Sequence, residues 1–268
     1  MFKTRLISGI VLVLIALVLI IAGGPVLLVS MGVISLIGMF ELYRIFHIEK
    51  EPAGIVGYLL AILYYINLYF SFIPDEMAFV ILALIAMMFV YVFTYPRYKT
   101  EQMLAAYFGI FYVAVMLSFV YMCRQMPQGM YYVWLIFLSS WGADTSAYCV
   151  GMLIGKHKMT PKLSPKKSVE GAVGGVVGSM LLTVLYAKVF EEGLQMTDGQ
   201  LLPLALIIGL CALISMVGDL TASAIKRNYD IKDYGTLIPG HGGILDRFDS
   251  MIFTAPVVYY LITYFILR

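Results

Sequence analysis

The chain has 268 residues, of which 62% are hydrophobic and only 13% charged, with a mean hydropathy of +0.92. A soluble domain carries about 25% charged residues, so a single globular core under a charged exterior is excluded and the chain reads as a polytopic membrane protein. The formal net charge of +2 selects no polyanionic partner, and no nucleic-acid partner is expected.

In chain order, Lys3 and Arg5 precede an apolar run from Leu6 to Ala22. The run is long for a signal peptide and lacks an A-x-A cleavage site, so it reads as an uncleaved first span. Apolar stretches of about twenty residues then predict about nine transmembrane helices, roughly 5–23, 25–46, 54–73, 76–95, 103–122, 130–153, 171–190, 201–224 and 250–267. Helices are expected rather than a barrel, because backbone groups in lipid must be satisfied within the segment and no alternating strands occur. Gly23-Gly24-Pro25 joins the first two spans as a tight hairpin. The whole chain, 1–268, is expected to form one all-α transmembrane domain. Cys123, Cys149 and Cys211 match no metal, redox or disulfide spacing and read as small core residues.

Orientation follows from the basic residues. With the N-terminus in the cytoplasm and the C-terminus outside, 15 of the 18 Lys and Arg fall on inner segments, and only Arg124, Lys188 and Arg268 fall outside. This is a strong positive-inside bias. Two inner loops, 154–170 and 225–249, therefore face the compartment where nucleotides are abundant.

Chemistry-bearing residues concentrate there. In the sixth span, SSWGADTSAY places Asp144 among small residues; an ionisable group at that depth is a functional candidate, with close helix packing as the alternative. The loop GKHKMTPKLSPKKSVEG carries five lysines, including Lys166 and Lys167, ahead of a Gly-rich span. It reads as a funnel for a polyanion or as a topology and anionic-lipid signal. The eighth span ends GDLTASAIKR, where Asp219, Ser223 and Lys226 lie within about 40° on one helical face. Asp219 then faces a watery cavity or pairs with Lys226. The ninth span opens with Asp246 and Asp249, three residues apart. Two close carboxylates repel unless a cation lies between them, and oxygen-only ligands suit Mg²⁺; the plainer alternative is acids favoured by the helix dipole. Between these spans, Pro239-Gly240-His241-Gly242-Gly243 can turn sharply, and its amides with the following helix start could receive phosphate oxygens. His241 could donate to a phosphate or bond the backbone. Together, acids at the inner ends of two spans, a Gly-rich turn and surrounding lysines describe a metal-phosphate site at the cytoplasmic membrane surface, where a nucleotide or diphosphate meets a lipid.

From Ser223 to Asp249 the sequence SAIKRNYDIKDYGTLIPGHGGILDRFD resembles the signature of the phosphatidate cytidylyltransferase family, S-x-x-K-R-x₄-K-D-x-G followed by P-x-H-G-G and D-R-x-D. GDLTAS, WGADTSAY and SPKKSVEG also resemble family segments, whereas the first five spans are generic. The resemblance implies a bacterial inner-membrane nucleotidyltransferase that turns CTP and phosphatidic acid into CDP-diacylglycerol and pyrophosphate, with a cytoplasmic active site drawn mainly from 139–171 and 218–250. It implies Mg²⁺, with two cation sites expected, on Asp219, Asp246 and Asp249, and contacts to phosphate or metal from Ser223 and Lys226. Arg227, Lys232, His241 and Arg247 are then phosphate ligands, beside Gly242 and Gly243, and Asp144, Lys166 and Lys167 complete the pocket or its entrance. A homodimer is also implied. Two rivals stand beside this reading. A CDP-alcohol phosphatidyltransferase also uses membrane-edge aspartates, but its D-x-x-D-G-x-x-A-R half is missing here. A transporter for an anionic metabolite would show inverted repeats, and none is seen.

Overall fold

A computed structural model describes residues 2–197 and 199–267, without the side chains of residues 2–6 and 76. The side chains of Lys3 and Arg5, and Arg268 as a whole, entered the topology count and lie outside the described residues.

The described residues are mostly helical. In order come α1 (Phe2–Ala22), α2 (Gly24–Ile45), α3 (Pro52–Phe70), α4 (Glu76–Phe93) and α5 (Thr100–Gly109), which runs through a π-helical segment, Ile110–Val115, into α6 (Met116–Gln125). Two single turns follow, α7 (Gly129–Tyr132) and α8 (Trp134–Phe137), then a second π segment, Leu138–Gly142, and α9 (Ala143–Ile154). A small hairpin of β1 (Lys158–Thr160) and β2 (Ser164–Ser168) leads into α10 (Val169–Val189). The chain closes with α11 (Glu191–Leu194), α12 (Leu201–Asn228) and α13 (Leu245–Phe265).

Among the described residues, six helical stretches are long and apolar enough to cross a membrane: Gly24–Ile45, Pro52–Phe70, Thr100–Gln125, Val169–Val189, Leu201–Asn228 and Leu245–Phe265. They correspond to the second, third, fifth, seventh, eighth and ninth expected spans. The first and fourth correspond to shorter apolar helices, Ile7–Ala22 and Met77–Phe93. The sixth, 130–153, keeps a right-handed helical backbone at Val133, Leu138, Gly142 and Ala143 but passes through two single turns and the π segment before α9. An all-α integral membrane protein is the architecture.

Local chemistry sets the helix ends. Gly23 and Gly24 both have positive φ, 58° and 47°, so the tight turn between α1 and α2 uses a conformation that L side chains resist. Proline opens α2 and α3 within their first turns, where its missing N–H costs nothing. Asp75 caps α4 through Met77 N at 2.9 Å, and Ser168 caps α10 through Gly171 N at 3.1 Å.

The chain divides into two compact units. The first comprises residues 1–121 and 233–247. Here α2 packs against α1, α3, α5 and the first π segment. The fully buried Tyr43 fills space that a Cβ at Gly57 or Gly109 would enter, within 2.4 Å of its ring or hydroxyl. Its hydroxyl donates to Ala106 O. The second unit comprises residues 122–232 and 248–268. Its centre is α10, which packs against α9 and α12. Glycine lets α9 and α10 approach: a Cβ at Gly174 or Gly178 would lie 2.4 Å from side-chain atoms of Val150 or Ser146. Gly218 plays the same part on α12, where a Cβ would stand 2.8 Å from Asp249 O on α13.

Candidate active site

In the second unit the β-hairpin leans over a cavity of about 490 Å³, a volume suited to a small-molecule site. Asp144, Tyr148, Lys166, Lys167, Met216 and Asp219 are among its lining residues. The hairpin reaches this position because its base is tied to α10. Glu170, in the first turn, accepts from the amides of Lys156 at 3.1 Å and His157 at 3.2 Å, and pairs with His157 Nδ1. Lys167 projects inward and forms an ion pair with Asp219 Oδ2, whereas Lys166 is exposed on the hairpin.

Beside the cavity lies a third acid. Asp249 is buried on α13 with 8% of its surface exposed. Its electrostatic neighbours are Asp219, Lys226 and Asp144. Lys226, two turns along the same face of α12 as Asp219, is itself buried. Ser250 bridges the group: its amide donates to Asp249 Oδ1 at 2.8 Å, and its hydroxyl donates to Asp144 Oδ2 at 3.3 Å. Three carboxylates therefore face two ammonium groups. Like charges this close are unfavourable in a low-dielectric setting, so the group is short of positive charge. Oxygen-only donors of this kind fit Mg²⁺. Among the described residues, no group of three or more His, Cys, Asp or Glu is disposed to hold a metal ion unaided. A cation here would complete its shell with phosphate oxygens and water, the usual arrangement for Mg²⁺.

In the first unit the Gly-rich stretch folds into a tight turn. Ile238 N donates to Gly242 O at 2.8 Å and His241 N to Ile238 O at 2.9 Å. Gly240 and Gly242 adopt positive φ, 78° and 83°. Asp246 Oδ2 holds this loop from both ends, accepting from Tyr234 N at 2.8 Å and Gly243 N at 2.9 Å. The next two amides, Ile244 N and Leu245 N, donate to Glu41 at 3.0 and 2.8 Å. The helix start considered as a phosphate cradle thus has the amides of Gly243, Ile244 and Leu245 engaged by the chain's own carboxylates. His241 Nδ1 lies 2.7 Å from Ser8 Oγ, which donates its only proton to Pro239 O at 3.1 Å. The Ser8 hydroxyl thus joins the turn at Pro239 to the His241 ring.

Of the expected site residues, the structure groups Asp144, Lys167, Lys226, Asp219 and Asp249 within the second unit. Ser223 is half-buried on the same helix, and Arg227 is exposed, donating to Ile231 O at 3.3 Å. Lys232 is exposed in the loop after α12. Gly242, Gly243, Asp246 and Arg247 belong to the first unit with His241. Sequence reasoning missed Glu41, Glu170 and Ser250. Glu41 left a signal, as an acid inside an apolar span. Ser250 left none beyond its place beside Asp249.

The chain matches the cytidylyltransferase family over residues 3–265. It is 31% identical to a phosphatidate cytidylyltransferase of Bacillus subtilis (strain 168), covering 98% of both chains. It is 32% identical to a protein of that name in Staphylococcus aureus (strain COL), covering 96% of this chain and 97% of the relative. A match spanning both units, at this identity, shows that the chain belongs to the cytidylyltransferase family.

Proposed function

We propose, from that membership, that the chain is a phosphatidate cytidylyltransferase: it joins CTP to phosphatidic acid, giving CDP-diacylglycerol and pyrophosphate. The observation that carries the reading is the unbroken signature from Ser223 to Asp249, within a chain aligned almost end to end with relatives of that name. A phosphate oxygen of the lipid attacks the α-phosphorus of CTP. A new P–O–P linkage forms, the bond from the α-phosphorus to the oxygen bridging it to the β-phosphorus breaks, and that oxygen leaves with pyrophosphate. The nucleophile is already ionised, so no strong base is required. The obstacle is the approach of two anions, which positioned positive charge relieves.

Each residue then has a task. Lys167, held by Asp219 at the cavity, and Lys166 on the hairpin draw phosphate oxygens inward. Lys226 and Ser223 contact phosphate from the α12 face. Arg227, Lys232 and Arg247 bind the outer phosphates, and His241 joins them through Nε2. Asp219 and Asp249, with Asp246 at the start of the same helix as Asp249, would hold Mg²⁺ at two sites. Bound there, the ion supplies Lewis-acid neutralisation of the phosphate charge. Support comes from the oxygen-only donor set and its shortage of positive charge. Asp144, bonded to Ser250, lines the cavity and completes the pocket.

The wider reading follows from the charge pattern. About nine spans, the N-terminus in the cytoplasm, the C-terminus outside and the site facing the cytoplasm of a bacterial inner membrane are proposed together, with a homodimer as the assembly. The deciding experiment is turnover by purified protein with radiolabelled CTP and phosphatidate in Mg²⁺-containing detergent. The expected result is CDP-lipid and pyrophosphate in equal amounts, lowered at least about 10²-fold by Asp219→Asn or Asp249→Asn. Consumption of CDP-lipid instead of CTP, or no pyrophosphate, would overturn it.

A further inference from the structure

We propose that Glu41 is a positioning residue for this reaction: from the second span it fixes the first turn of α13 and thereby aims Asp246. The inference rests on the functional reading above and on contacts within the first unit.

A helix start leaves several amides without intrahelical acceptors. A local Ser, Thr, Asp or Asn normally supplies one. Here the residue before α13 is Ile244, which has no acceptor to offer. Glu41 substitutes from more than two hundred residues away. Its two carboxylate oxygens each take one amide, Oε1 from Ile244 at 3.0 Å and Oε2 from Leu245 at 2.8 Å. One acceptor would satisfy an amide; two on one rigid carboxylate also fix the direction of the turn. The backbone closes around this group on both sides. A Cβ at Gly235 or at Gly243 would lie 2.3 Å from Glu41 Oε1, which accounts physically for two glycines of the signature.

One turn along α2, Arg44 donates through Nη2 to Tyr234 O at 2.5 Å. The amide of the same Tyr234 donates to Asp246 Oδ2. Arg44 and Glu41 therefore hold the signature loop at Tyr234 and at its end, and Asp246 is bonded to the first of these points and follows directly on the second. Glu41 is only 4% exposed. Burying a carboxylate is costly unless it is fully engaged, and a neutral cap would have served stability at lower cost. The arrangement makes sense as geometric control of an acid that must meet a charged ligand.

The test uses the full chain in detergent, comparing Glu41→Gln, Glu41→Asp and Gly243→Ala with wild type. A glutamine has one acceptor oxygen and turns an NH₂ toward the second amide. Expected for Glu41→Gln is a kcat lowered about 10²-fold with KM for CTP changed by less than about twofold. The Mg²⁺ concentration for half-maximal rate should rise, with partial rescue by Glu41→Asp. Hydrogen exchange at the amides of Ile244 and Leu245 should accelerate by at least about tenfold, whatever the activity. Gly243→Ala, which displaces the carboxylate while retaining it, should lower kcat in the same way and serves if Glu41→Gln does not fold. Unchanged exchange at 244–245, or a kcat near wild type in a folded Glu41→Gln protein, would overturn the proposal. So would a loss of rate matched by the loss of folded protein. A wild type without CTP turnover would instead strike the functional reading, and the exchange measurement would still decide whether Glu41 holds the turn.

Discussion

Replacing Asp246 separates the carboxylate's structural task from its chemical one. In the first unit its Oδ2 accepts from two buried amides, Tyr234 N at 2.8 Å and Gly243 N at 2.9 Å, and the residue is 5% exposed. Asp246→Ala orphans both donors. At about 1–3 kcal/mol for each unsatisfied buried group, the loss is roughly 2–6 kcal/mol. For a chain of this size, at about 2–4 °C per kcal/mol, the unfolding midpoint falls by roughly 4–24 °C. Asp246→Asn keeps one oxygen that can accept from both amides and loses only the charge assistance. The cost there is about 1–3 kcal/mol, about half the drop in midpoint. Turnover behaves differently. If the negative charge serves a cation, the asparagine variant should lose at least about 10²-fold in rate despite its near-native fold. Thermal unfolding in detergent and CTP turnover, measured on both variants, decide the matter. An Asp246→Ala midpoint within about 2 °C of wild type would refute the loop-holding role. Full turnover by a folded Asp246→Asn protein would refute the charge role.

Further outcomes are expected. Lys167→Met removes the partner of Asp219 at the cavity, so the rate at limiting CTP should fall at least about tenfold, while Lys167→Arg retains part of it. Glu170→Ala frees the amides of Lys156 and His157 at the base of the hairpin; KM for CTP should rise, with a midpoint lowered by no more than about 4 °C. Gly178→Leu forces a side chain into Ser146 across the α9–α10 contact, where a Cβ alone would come within 2.4 Å. Overpacking of this kind costs about 1–3 kcal/mol, and both midpoint and rate should drop. Chelation with EDTA should abolish turnover, and added Mg²⁺ should restore it; activity that survives exhaustive chelation would remove the metal assignment.

Particular residues show how far the sequence could be read. Asp144, Lys167, Asp219, Lys226 and Asp249 were all legible, because a charge within or beside an apolar span is costly and therefore conspicuous. The helical face shared by Asp219, Ser223 and Lys226 followed from the period alone. The pairing of Lys167 with Asp219 did not, since it depends on a two-stranded hairpin folding back over α12. The π segment in the sixth span was also hidden: its composition suits a regular helix, and Leu138–Gly142 packs against α10 and α12.

The lipid-facing character of the chain, its helical class and its chemically unusual segments were determined by sequence, because hydropathy and the cost of intramembrane charge act residue by residue. What the tertiary structure alone decided was which carboxylate meets which amide. The turn amides of 243–245 read as a place for phosphate until Asp246 and Glu41 are seen to accept from them. A hydrogen bond is set by direction and distance within a few tenths of an ångström, and between residues two hundred positions apart only the folded chain supplies either.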